Sequence, residues 1–188
     1  NKKDKRNSLF WEFIRSVNEL EPKSIIFENV AGFKGLYSGQ AYNVLIKELE
    51  KIGYSIFSEV IDGANYGLPQ HRKRTIIIGI EKGKKFTFPE ITHLEKEGLF
   101  EKKYLKIIDA ISDLPKLKYG KKENRYLCPP KNEYQKKMRR NEKILTEHNA
   151  TNYGPKMQKI LKLIPKNGSI KDLPYSLRPK KYFNNVYA

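Results

Sequence analysis

Between residues 8 and 80 the chain switches repeatedly between a helical and an extended hydrophobic period, and this alternation constrains the fold more than any other feature. Leu9, Phe10, Phe13, Ile14, Val17 and Leu20 recur at helical spacing and form one apolar stripe. Asn7-Ser8 can cap that helix, Glu12 falls in its first turns, and Pro22 stops it. Residues 24–29 are rich in Ile and Phe and too short for a helix, which predicts a buried strand. Ala41, Val44, Leu45, Leu49 and Ile52 return to the helical period, and Gly53 ends it. Tyr54 to Ile61 and the run Thr75 to Ile80 read as two further strands, joined by the loop DGANYGLPQ. Strands alternating with helices imply an α/β sheet. The last two strands, separated only by a loop, imply an antiparallel edge hairpin. Three strands make a partial sheet, which leaves an unpaired edge open to dimerisation or strand exchange.

The texture changes after about residue 82, so the sequence divides into a sheet-forming part, 1–82, and an irregular basic part, 83–188. Tyr104 to Leu114 reads as a helix before Pro115, and Pro155 to Ile164 as another, with Met157, Ile160, Leu161 and Ile164 on one side. The stretch KKENRYLCPPKNEYQKKMRR is charged and interrupted by prolines.

Composition matters here because of its sign. Lys plus Arg number 38 against 21 for Asp plus Glu, a formal charge of +17 over 188 residues. Such a balance favours a polyanion, chiefly nucleic acid; the bland alternative is a lysine-rich surface. The single cysteine excludes an internal disulfide, and the three histidines show no metal-ligand spacing. No apolar run is long enough to span a membrane, and a reducing, cytoplasmic setting is expected.

Two short motifs carry chemistry. In FENVAGF, residues 27–33, a buried-type strand ends on the carboxylate of Glu28 and on Asn29. In QHRKR, residues 70–74, an extended chain would point Gln70, Arg72 and Arg74 one way and His71 and Lys73 the other. Arginine makes planar, bidentate contacts with phosphates and carbonyl-bearing base edges. Sites in α/β sheets gather at the carboxyl ends of strands. Glu28 ends one strand, and residues 70–74 begin an antiparallel one, so both motifs should reach the same rim.

This arrangement resembles the distal half of the catalytic domain of C5-cytosine DNA methyltransferases, a Rossmann-like methyltransferase sheet. DKRNSLFWEFIRSV resembles the helix that follows the family's catalytic loop. ENV resembles its Glu-Asn-Val motif, and GANYGLPQHRKRTIIIGI its Gln-x-Arg-x-Arg motif with the usual Tyr-Gly-x-Pro lead. Fainter likeness to the family's variable region continues in IIDAISDLP, HNA and IPKNGS. The resemblance implies transfer of a methyl group from S-adenosylmethionine to C5 of a cytosine flipped out of double-stranded DNA. C5 is a weak nucleophile until a thiolate adds at C6, and a carboxylic acid on the base's N3 eases that addition. Glu28 matches the family acid in that role, in a site expected to be partly desolvated. Arg74 matches the arginine that holds the base O2, and Arg72 its supporting partner. Asn29, Val30 and Gln70 would shape the pocket. Lys121, Lys122, Arg125, Lys136, Lys137, Arg139 and Arg140 would contact phosphates in a target-recognition region, with Tyr126 and Tyr134 free to stack.

The family's nucleophile is a cysteine preceded by proline; this chain has only Cys128, in LCPP, followed by prolines. The glycine-rich cofactor loop is not in these residues either, and the chain begins at Asn1 without methionine. A fragment of a longer restriction-modification methylase, inactive by itself and with a cognate endonuclease as companion, is therefore expected. The rival readings are a non-catalytic basic DNA-binding module, one subunit of a split methyltransferase, and a decayed enzyme kept as a scaffold. Which bases are read does not follow from the sequence.

Overall fold

The computed structural model describes residues 9–36, 38–96, 98–166 and 168–179. Its contacts divide the chain into two compact units that meet between Ala110 and Ile111. The first unit follows the predicted order. Helix α1 runs Leu9–Leu20, strand β1 Ser24–Val30, helix α2 Gln40–Ile52, strand β2 Tyr54–Asp62 and strand β3 Lys73–Glu81. The expected cap Asn7-Ser8 lies outside the described residues. Gly53 ends α2 with φ 113, a left-handed conformation that returns its N–H to Glu50 and Leu49 carbonyls.

The three strands are ordered β1-β3-β2, and β3 is antiparallel to both neighbours. The hairpin β2–β3 forms, but its antiparallel member lies in the middle of the sheet and β2 takes the rim. In the middle place β3 has both edges hydrogen-bonded, and its Thr75, Ile77, Ile78 and Gly79 are all buried. Helices α1 and α2 cover one face. Ile14 and Val17 from α1 meet Leu45 and Leu49 from α2 over Ile25, Tyr54 and Ile77. Each such aliphatic side chain, fully removed from water, contributes about 1.5–3 kcal/mol. The ring chain Phe13–Phe27–Phe33 extends this core towards the end of β1.

Residues 83–110 pack with the sheet unit, so the change of texture at 82/83 is not where contacts divide the chain. Phe86 meets Phe57 of β2. The short strands β4 (His93–Leu94) and β5 (Lys102–Lys103) pair in parallel. The predicted helix Tyr104–Leu114 shrinks to α3, Ile107–Ile111. Tyr104 is unavailable to it: its N–H is bonded to Leu94 O (2.8 Å) and its hydroxyl to Asn65 Oδ1 (2.6 Å).

The second unit holds helices α4 (Glu133–Arg139) and α5 (Pro155–Lys162), the latter two residues shorter than predicted. It also holds an irregular antiparallel ribbon in which Lys122 faces Asn149 and Arg125 faces Ile144. Helix α4 was not expected from its charge-rich sequence. The signal was there: Asn132 caps it by accepting the Gln135 N–H at 2.9 Å, and Asn-x-x-Gln is a capping pattern. Among the described residues no helix is long and apolar enough to cross a membrane.

Candidate base-binding site

The register of β1 on β3 builds the site. Glu28 stands opposite Ile76, and Val30 opposite Arg74, so Glu28 and Arg74 are diagonal neighbours across the strand pair. Long side chains bridge such diagonals. Arg74 Nε lies 2.6 Å from Glu28 Oε1. Its Nη1 also donates to the Lys73 carbonyl at 2.9 Å, which fixes the plane of the guanidinium. The arginine is mostly covered, at 25% exposure, whereas Glu28 is open, at 52%. That corrects the expected desolvation: in this chain the carboxylate stands at a wetted rim.

Beside Glu28 is a cleft of about 410 Å³, lined by Phe10, Phe27, Asn29, Val30, Phe33 and Leu36 among others. Aromatic side chains make its floor, and Phe33, in the 3₁₀ turn Ala31–Gly35, is buried. Asn29 turns its side-chain oxygen back to accept the Val30 N–H at 2.8 Å, which settles the backbone at the strand end. Val30 is exposed. Thr75, fully buried, adds a support that sequence reading missed. Its hydroxyl sits 3.3 Å from both the Val30 and Ala31 carbonyls, so β3 holds the turn that follows Glu-Asn-Val.

Arg72 and Gln70 are placed differently from Arg74. Both precede β3 and are exposed, so strand alternation does not govern them. Arg72 is anchored through its main chain, its N–H bonded to Asp62 Oδ1 at 3.0 Å. None of the described contacts joins Gln70 to Glu28.

In the second unit Lys121, Lys122 and Arg125 lie exposed on the ribbon, Lys136 and Lys137 on α4, and Arg140 just after it. Arg139 is a correction. Its side chain is 9% exposed and its Nε donates to Asp113 Oδ2 at 2.8 Å, with Nη2 2.6 Å from the same oxygen in a bent approach. Nη1 donates to the Cys128 carbonyl at 2.9 Å, and the guanidinium lies 3.7 Å over the Tyr126 ring. Arg139 is therefore an interior strut, and one face of Tyr126 is occupied by it. Tyr134 is half-buried. Cys128 is half-buried in the same cluster, its thiol 3.6 Å from the Asp113 carbonyl.

S-adenosylmethionine does not fit the cleft at Glu28. An adenosyl group and an amino-acid tail need further acids and amide donors, whereas the one carboxylate lining the cleft is already engaged by Arg74.

The family model for C-5 cytosine-specific DNA methylases matches residues 1–184. Among curated relatives, the type II methyltransferase M1.HphI of Haemophilus parahaemolyticus is 31% identical over 176 residues, 94% of this chain and 40% of that protein. M.AgeI of Thalassovita gelatinovora is 32% identical over 166 residues, 78% of this chain and 39% of that protein. M.Bpa9945I of Bacillus paralicheniformis is 38% identical over 124 residues, 62% of this chain and 27% of that protein. The chain thus spans about two fifths or less of the length of these relatives. With Glu28 of ENV paired to Arg74 of QHRKR and the family match running through nearly all of its length, the chain belongs to the C-5 cytosine-specific DNA methylase family.

Proposed function

We propose that this chain is the base-holding and DNA-reading portion of a DNA (cytosine-5-)-methyltransferase of the type II restriction-modification kind. The observation that carries the reading is the Glu28–Arg74 pair at the joined ends of β1 and β3. The two side chains are complementary to one another, and with Glu28 protonated they are complementary to the N3 and O2 acceptors of a cytosine. A flipped cytosine presents N3 and O2 side by side and can replace each partner of the pair. As the pair opens, the Glu28 carboxylate takes up a proton from solvent and shares it with N3, which withdraws electrons from the ring and eases nucleophilic addition at C6. Arg74 donates to O2, where negative charge builds as the ring is attacked. Asn29 and Val30 fix the backbone under the base, and the aromatic floor of the cleft excludes water from one side of it.

S-adenosylmethionine supplies the methyl group in this chemistry, and its cradle would belong to other parts of a full-length enzyme. So would the thiolate, because Cys128 is half-buried with its thiol turned to the Asp113 carbonyl, and it is followed rather than preceded by proline. The isolated chain would then be inactive. From Ile111 onward, the exposed lysines and arginines of the ribbon and α4 would neutralise phosphates of double-stranded DNA. A cytoplasmic setting, with a restriction endonuclease of the same specificity as companion, fits such an enzyme.

The test is Glu28→Gln in the full-length protein, using unmethylated bacterial DNA and tritiated S-adenosylmethionine. Methyl transfer should fall by about 10²–10⁴-fold while DNA affinity is retained. A purely DNA-binding protein would show no methyl transfer in either form, and a variant that methylates normally would remove Glu28 from the chemistry.

A further inference from the structure

The loop between β2 and β3 delivers Arg72 and Arg74 to the rim, and it is fastened by one carboxylate. Asp62 is the last residue of β2, opposite Lys73 in register. Its Oδ1 accepts the Ala64 N–H at 3.2 Å, capping the 3₁₀ turn Gly63–Tyr66. The same oxygen accepts the Arg72 N–H at 3.0 Å, and Oδ2 pairs with His71 Nδ1 at 3.1 Å. The Gly63 N–H donates to the Arg72 carbonyl at 3.0 Å. The Arg72 peptide is thus held from both sides at the point where the chain enters β3. Gly67, at φ 84, lets the loop turn back; a side chain there would also meet the His93 ring at 2.9 Å.

The geometry points to Asp62 as a positioning residue that sets the direction of residues 71–74 and so presents the Arg74 guanidinium at Glu28. The inference rests on the base-site reading above and adds a residue outside both motifs. A carboxylate suits the task because three donors converge on it, more than a hydroxyl can accept. Its own side chain is 12% exposed, whereas its partner His71 is open to water at 68%. Asparagine keeps the oxygen that serves Ala64 and Arg72 and changes only the contact to His71, whereas alanine removes all three. Misplacing a reacting group by about 1 Å costs on the order of a hundredfold in rate.

The experiment is methyl transfer to unmethylated bacterial DNA by the full-length protein carrying Asp62→Ala, Asp62→Asn or Glu28→Gln, with thermal unfolding of each. Asp62→Ala should lower kcat by about 10–100-fold with the DNA KM changed less than threefold, and Asp62→Asn should recover most of the loss. Either an unchanged kcat in Asp62→Ala, or a fall in Asp62→Asn as deep as in Asp62→Ala, overturns the positioning role. Full activity in Glu28→Gln is a separate failure, since it removes the base-site reading itself.

Discussion

Glu28 and Arg74 show how much of a site a pair of strands can define. Neither residue is deeply buried, and their contact follows from register alone, because β1 ends where β3 begins. Sequence reading reached this convergence from the antiparallel turn of the chain. It did not reach Thr75 or Asp62, since the partners of both are carbonyls and N–H groups that only the folded backbone brings near. The Asp62-Gly63 dipeptide was a usable hint, because Asp before a turn accepts N–H groups two residues on. Asp62 also makes the loop sensitive to acid. Burial pushes its carboxyl up, but hydrogen bonds from His71 and the Ala64 and Arg72 N–H groups together hold it below the usual carboxylate range. A depressed folded value contributes stability that is present above the unfolded value, about 3.9, and is lost as pH falls through the folded one. Wild type should therefore exceed Asp62→Asn in urea stability at pH 5, and the gap should close as the pH is taken towards 2. A gap that persists at pH 2 would mean that the ionised carboxylate is not what holds the loop.

At the scale of elements, the legible ones were those with a clean period. The stripes of α1 and α2 and the apolar runs of β1, β2 and β3 each declare one face or two. The central place of β3 was not legible, because the hairpin with β2 fills one of its edges and only the placing of β1 on the other decides the order. Helix α4 was obscured because its stabilisation is largely tertiary. Gln135 and Arg139 point inward, four residues apart, to Ser112 and Asp113 on a distant segment. Arg139 therefore looks like its neighbours in sequence and differs from them in environment. Arg139→Ala leaves Asp113, 3% exposed, as an uncompensated buried charge. It should cost about 3–5 kcal/mol in urea unfolding of the chain. Arg140→Ala, at an exposed position, should stay within about 0.5 kcal/mol. Equal effects from the two would return Arg139 to the surface.

For the whole molecule, the function proposed above assigns one base to the sheet unit and the duplex to the basic unit that follows Ala110. Affinity for DNA should then fall steeply with salt, and the slope of log affinity against log salt should drop by about one for each of Lys136→Ala, Lys137→Ala and Arg140→Ala. A slope indifferent to these changes would locate the phosphate contacts elsewhere. The chain covers 40% or less of M1.HphI, M.AgeI and M.Bpa9945I, so the central claim, which concerns the complete reaction proposed above, is best tested in a full-length protein. The most direct measurement is a structure of the full-length enzyme on a duplex carrying its target cytosine. The account predicts that cytosine out of the stack, with the Glu28 carboxyl about 2.6–3.2 Å from N3 and the Arg74 guanidinium on O2. A cytosine bound elsewhere, with Glu28 and Arg74 still closed on each other, would contradict it.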